Sequence, residues 1–183
     1  MRILLFFLFA ITACVTNAQS LYQATSSKIS FFAGTPVEDI DAINTKAWSF
    51  FNSTTGEISI NIPIKDFHFK RPLMEEHFNE NYLESSKYPK AQFKGKIKDV
   101  EKINFKSIES IEISITGTLT LHGVSKETEI NVVLHSEDGK IQGETKFFIT
   151  LSDYKIDRPK ILWEKLAEKV NVTAAFTYEP YNK

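Results

Sequence analysis

The chain has 183 residues, of which 42% are hydrophobic, and its 22 basic and 23 acidic side chains give a formal net charge of −1. Balanced charge leaves no basic footprint for nucleic acid, and the length fits one domain with a sizeable core. The 15 phenylalanines predict an interior rich in large apolar side chains.

The first residues have the pattern of an export signal. Arg2 precedes a short apolar run over 3–11, and Thr16-Asn17-Ala18 offers small residues where a signal peptidase cleaves. We therefore predict a cleaved signal peptide over 1–18, a single domain over 19–183, and a periplasmic or secreted protein. Ile11-Thr12-Ala13-Cys14 resembles a lipobox, so a lipoprotein anchored through Cys14 is the alternative. Cleavage would remove the single cysteine, and no later apolar run is long enough for stable membrane insertion.

Alternation of apolar and polar residues dominates the rest of the chain. Ile58, Ile60 and Ile62, for example, alternate with Ser59, Asn61 and Pro63. This period is typical of strands with one buried and one solvated face. It predicts roughly eight strands, at about 27–34, 38–51, 56–67, 91–98, 109–121, 126–136, 139–151 and 169–179.

Two segments have a helical pattern, Pro72–Leu83 and about Pro159–Glu168. Neither is long enough to cover a sheet, so the strands must bury their apolar faces against one another. We predict an all-β fold, a single antiparallel barrel of roughly eight strands with one or two short capping helices. Such a barrel is filled by its own side chains or holds one small ligand.

Three neighbouring polar residues, Glu75, Glu76 and His77, raise the question of a metal site. Ligands on one helical face need a spacing of three or four residues, which only His77 and Glu80 have. Acidic residues in a first helical turn are better explained by the helix dipole. We therefore predict no metal and no other cofactor.

Serine nucleophiles are the second candidate chemistry. Ser125 lies near His122, and Ser152 precedes Asp153, but neither serine is in a Gly-x-Ser-x-Gly elbow. The sequence therefore favours a protein that is not an enzyme.

The segment from Pro72 carries an apolar stripe, because Met74, Phe78 and Tyr82 are spaced four residues apart. In a barrel this stripe must lie over an open end. The residues alone leave two interpretations open, a permanent plug over the core and a mobile rim over a ligand channel.

The interior of the predicted barrel is the remaining candidate site. Residues on the inward faces of the strands and on the helical stripe are the predicted ligand contacts, namely Ile60, Ile62, Met74, Phe78, Tyr82, Phe93, Ile113, Ile115, Leu119, Phe147, Ile149 and Phe176. Ordinary core packing also explains each of them. Glycines on the same faces, such as Gly95, Gly117 and Gly143, leave room inside or bend the strands.

Two stretches in this order, "HFNENYLESSKYPKAQFKGKI" (77–97) and "GTLTLHGVSKETEI" (117–130), resemble the YceI-like family. The resemblance implies an exported protein with a lipocalin-like barrel that holds an isoprenoid-type lipid in an apolar channel. It also favours the mobile rim over the plug, and a non-enzymatic lipid carrier over its alternative. That alternative is a structural or surface interaction module with a self-filled barrel core. Oligomeric state is left open by both interpretations.

Overall fold

Ten strands and one short α-helix are present in the computed structural model, which describes residues 20–34, 39–157 and 168–181. The helix α1 spans Pro72–His77, and a π-helical turn, Phe78–Tyr82, continues it. The strands are β1 Leu21–Gly34, β2 Asp39–Asn44, β3 Trp48–Asn52, β4 Glu57–Pro63, β5 His68–Phe69, β6 Lys90–Ile97, β7 Ile111–Leu121, β8 Val124–Glu137, β9 Lys140–Thr150 and β10 Lys169–Pro180.

Eight of the strands close into an antiparallel barrel in the order β10-β9-β8-β7-β6-β4-β3-β1, and pairing of β1 with β10 completes the ring. The predicted fold class is therefore confirmed. β2 pairs with the second half of β1, beyond the part that β3 pairs with, and β5 pairs with β2. In β10 every second residue from Val170 to Tyr178 is buried, as its alternation predicted.

One predicted strand, 38–51, is interrupted in the structure. The Asn44 side chain accepts a hydrogen bond from the Lys46 backbone N–H at 2.8 Å and donates one to the Pro63 carbonyl at 2.7 Å. Because an asparagine that bonds its own backbone two residues on makes a turn, the strand stops there and resumes as β3. The predicted strand 56–67 also ends early, since Ile64–Asp66 is a 3₁₀ turn.

Other boundaries differ by a few residues. β1 begins at Leu21, six residues before its predicted start at 27. The second predicted helix, about Pro159–Glu168, lies outside the described residues except for Glu168.

The hairpin β8–β9 is paired over only part of its length. Pairing begins where Glu137 faces Lys140 and stops where Val133 faces Glu144, although both strands continue toward the opposite end of the barrel. Beyond it the Thr145 hydroxyl donates to the Asn131 carbonyl at 2.6 Å. Here each strand is paired only with its other neighbour, within the described residues.

One end of the barrel, called the closed end below, is filled by aromatic side chains. Tyr22 stacks on Phe51 with ring centroids 4.8 Å apart, and Phe51 also contacts Tyr178 and Phe105 at 5.0 and 5.4 Å. The Tyr178 hydroxyl shares a 2.8 Å hydrogen bond with the Ser49 hydroxyl. Full burial raises the pKa of Tyr178 far above its ordinary value, so the phenol stays neutral.

Candidate ligand-binding cavity

The opposite end of the barrel, called the open end below, contains an apolar cavity of about 360 Å³. It lies beneath α1 and the π-helical turn, and inward side chains of β1, β4, β7, β9 and β10 form its walls. A second cavity of about 100 Å³ continues toward the closed end. The two cavities adjoin, and five side chains that line both lie between them and are called the waist below: Ile29, Ile62, Leu119, Phe147 and Val172.

All twelve side chains predicted as ligand contacts line this pair of cavities. The larger cavity has Ile62, Met74, Phe78, Tyr82, Leu119, Phe147 and Ile149 in its wall. The smaller one has Ile60, Phe93, Ile113, Ile115 and Phe176, together with the shared residues. Their contact with a ligand remains a prediction.

A cluster of four phenylalanines at the open end was not predicted as a whole. The Phe78 ring lies 5.5 Å from Phe31, 5.5 Å from Phe67 and 5.1 Å from Phe69, between ring centroids. Only Phe78 was predicted to face the cavity. The crowding of phenylalanine at 31–32 and 67–69 was the available signal, but Phe31 lies within β1 while Phe67 and Phe69 lie beside and in β5, so only the tertiary fold brings these rings together.

The helix α1 begins where the sequence predicted, with Pro72 at its first position. The Glu75 carboxylate accepts a hydrogen bond from the Phe69 backbone N–H at 3.1 Å and lies 3.6 Å from His68 Nδ1. Glu75 thus ties the helix to β5. Among the described residues no three His, Cys, Asp or Glu side chains are grouped closely enough to hold a metal ion.

Residues 19–178 match the family model of the YceI-like domain. The chain belongs to the YceI-like family. Its fold is similar to a polyisoprenoid binding domain from Saccharophagus degradans implicated in plant cell wall breakdown, with a TM-score of 0.77 and 15% identity over 87% of this chain and 98% of that one. It is also similar to Burkholderia cenocepacia BcnA, with a TM-score of 0.69 and 14% identity over 82% and 95% of the two chains.

A third solved structure, the Campylobacter jejuni YceI protein, gives a TM-score of 0.54 and 19% identity over 73% of this chain and 78% of that one. At these identities the likeness shows the fold. No protein of curated function has significant similarity to the chain.

The two stretches that resemble the YceI-like family, 77–97 and 117–130, meet at the open end around His122. His122 Nε2 lies 2.7 Å from the Glu84 carboxylate, and His122 Nδ1 lies 3.1 Å from the Tyr154 carbonyl. A carbonyl can only accept, so Nδ1 carries a proton. The Tyr88 ring packs edge-on against the imidazole at 4.5 Å. His122 therefore joins the β7–β8 turn to the segment after the π-helical turn and to the segment after β9.

The serines considered for nucleophilic chemistry are bonded to other groups in this YceI-like chain. Ser125 shares a 2.8 Å hydrogen bond with the Thr120 hydroxyl, and the Ser152 hydroxyl donates to the Glu168 carboxylate at 3.3 Å. His122 is held by Glu84 and Tyr154, as described above.

The larger cavity has few ionisable lining groups. Arg71, His77 and Tyr82 are the ionisable side chains in its wall among the described residues, and all three belong to the segment at its opening. Burial raises the pKa of Tyr82, so its hydroxyl is neutral near pH 7. The depth of the cavity therefore offers only apolar contact, and polar groups are confined to the rim.

Proposed function

We propose that this protein binds and carries an apolar lipid of the isoprenoid type in the interior of its barrel, without catalysing a reaction. The observation that carries the proposal is the adjoining pair of apolar cavities of about 360 and 100 Å³ inside the barrel. The Saccharophagus degradans domain, which has the same fold, is described as polyisoprenoid-binding. A linear lipid tail would lie along the barrel axis, with its polar end at the rim beside Arg71 and His77.

The size of the larger cavity argues against a barrel filled only by its own side chains. About 360 Å³ beneath the rim is bounded by apolar side chains of the barrel and is not filled by them. A bound apolar chain would fill this space, and each methylene that it buries contributes about 0.8 kcal/mol.

Native mass spectrometry of gently purified protein tests the proposal. We expect an adduct with the mass of a lipid, which solvent extraction removes and added polyprenol restores. A protein that is folded, carries no lipid and takes up no polyprenol would instead support the surface-module alternative.

A pair of tryptophan variants makes the test specific. Leu119→Trp places an indole at the waist, and overpacking of this kind costs about 1–3 kcal/mol. It should exclude long polyprenols while the barrel remains folded. Val133→Trp, on the exposed outer face of β8, is the matched control and should bind polyprenol as the wild type does. Equal binding by both variants would place the ligand outside the barrel.

We also propose that the protein is exported, with cleavage after Ala18, because small residues occupy the positions that a signal peptidase recognises. The intact mass of the protein from the periplasm or medium should then begin at Gln19. A lipid-modified Cys14 at the N-terminus would show a membrane-anchored lipoprotein.

A further inference from the structure

Large apolar side chains are exposed on the outside of the barrel near the open end. Phe148 is 66% exposed, Phe32 47% and Ile43 39%. Phe148 of β9 and Phe32 of β1 are both in register with Asn171 of the intervening strand β10, so the two rings flank one asparagine. Ile43 of β2 lies diagonally next to Phe32, whose direct partner is Asp41. These three apolar residues are called the outer patch below.

The outer patch lies on strands whose preceding outward residues are polar. On β9 the preceding outward positions are Glu144 and Lys146, and on β1 they are Lys28 and Ser30. Side chains alternate between the two faces of a strand, so the inward neighbours of the patch aromatics are Phe31 and Phe147, which line the larger cavity. The barrel wall is thus apolar on both faces beside its opening.

Two lysines lie near the most exposed aromatic residue. Lys146 lies two residues before Phe148 on the same face of β9, and Lys169 of β10 pairs with Thr150, two residues after it. Neither lysine has an ion pair within the described residues. Asp41, the register partner of Phe32, is 3.3 Å from Lys70. Further acidic residues near the lysines are Glu144, two residues before Lys146, and Glu168, whose carboxylate accepts a hydrogen bond from Ser152.

We infer that the outer patch docks this protein on an anionic phospholipid membrane, with Phe148 and Phe32 inserted among the lipids and Lys146 and Lys169 against the phosphate groups. Exposed aromatic residues next to lysines match an interface that is apolar inside and negatively charged at its surface. A second copy of the chain fits less well, because a symmetric contact places the same patch on both sides and brings the lysines toward one another.

Docking in this position would give the cavity a source for its ligand. A long isoprenoid chain is insoluble in water and resides in membranes, and the outer patch lies on the wall beside the cavity opening. This part of the reasoning rests on the proposed function. The docking itself rests on the exposed residues and their charges.

Flotation with vesicles of phosphatidylglycerol and phosphatidylcholine tests the inference, with pure phosphatidylcholine vesicles for comparison. Protein recovered from expressing cells is used in a Cys14→Ser background, which removes any lipid anchor. We expect binding to the anionic vesicles that weakens with salt, a loss of about tenfold for Phe148→Ser, and about a hundredfold for Phe32→Ser with Phe148→Ser. Lys146→Glu with Lys169→Glu should remove the preference for anionic vesicles.

Val133→Ser is the control, since Val133 is 44% exposed on the outer face but pairs with Glu112 and Glu144. It should float as the wild type does. Three results would each overturn the inference. They are absence of wild-type binding, equal binding by the double serine variant, and a wild-type dimer that the double serine variant dissociates. Polyprenol uptake, measured separately, distinguishes its failure from that of the proposed function, because a barrel that binds polyprenol without floating refutes docking alone.

Discussion

Replacement of Phe78 by alanine tests whether the phenylalanine cluster holds the rim over the cavity. Phe78 belongs to the π-helical turn and contacts Phe31, Phe67 and Phe69 at ring-centroid distances of 5.5, 5.5 and 5.1 Å. Each such aromatic pair contributes about 0.5–1.5 kcal/mol beyond burial, and a fully buried phenylalanine about 1.5–3 kcal/mol. Because Phe78 is only partly buried, we expect Phe78→Ala to lower the free energy of unfolding by about 3 kcal/mol.

For a chain of this size, each kcal/mol shifts the melting temperature by about 2–4 °C, so a fall of roughly 6–12 °C is expected. Thermal unfolding followed by far-UV circular dichroism measures it, and the native spectrum should stay close to wild type because β1 and β10 still close the barrel. Release of bound polyprenol should also become faster.

Leu73→Ala is the matched control in the same segment. Leu73 is 57% exposed, so its replacement should change the melting temperature by no more than a surface substitution does, within about 0.5 kcal/mol. If Phe78→Ala behaved like Leu73→Ala, the cluster would not stabilise the rim.

Three further predictions concern the barrel wall and its closure. Gly117→Ala should prevent correct folding, because the added Cβ would lie 2.3 Å from the Lys94 carbonyl oxygen across the β6–β7 pair, and the loss of soluble protein measures it. Gly139→Ala is its control: nothing lies within 4 Å of that Cβ, so the φ of +77° should cost only about 1–2 kcal/mol. Tyr178→Phe should reduce the loss of stability above pH 10. The raised pKa of Tyr178 keeps the folded phenol neutral there, while the unfolded phenol ionises at its ordinary pKa of 10.0. Wild-type stability, measured by urea unfolding, should therefore fall by about 1.4 kcal/mol per pH unit above pH 10 because of this group. His122→Ala should cost about 2–4 kcal/mol in the same assay and increase hydrogen exchange in residues 84–88, whereas no change there would show that the imidazole does not hold this segment.

Local pattern was sufficient for most of the barrel. A predicted strand overlaps each of the eight ring strands, although β3 was joined to β2 in one prediction, because each ring strand has one face against the interior and a one-residue slip would expose its whole apolar set. Period-two alternation did not reveal the break after Asn44, where one side chain bonds both its own backbone and the distant Pro63 carbonyl. That second bond depends on tertiary structure and has no signal in the local sequence.

The residues of the candidate site were likewise predicted in part. Inward strand residues such as Ile115 and Phe176 were predicted from alternation, which is a local property. The cluster around Phe78 and the link from His122 to Glu84 were not, because both join segments far apart in the chain. The adjoining cavities themselves depend on how large side chains meet across the barrel, which no single strand specifies.

The aromatic closed end gives the adjoining cavities a floor, with Phe51, Phe105 and Tyr178 in the wall of the smaller cavity and Tyr22 stacked on Phe51. If the protein carries an isoprenoid lipid, as we propose, a chain that enters tail first from the open end stops at this floor, at a fixed depth. Carbons beyond that depth stay in water and add nothing to affinity, while a shorter chain leaves part of the cavities unfilled. Cavities with such a floor work as a ruler, and affinity plotted against the number of isoprene units should rise by a constant step and then level off at one length.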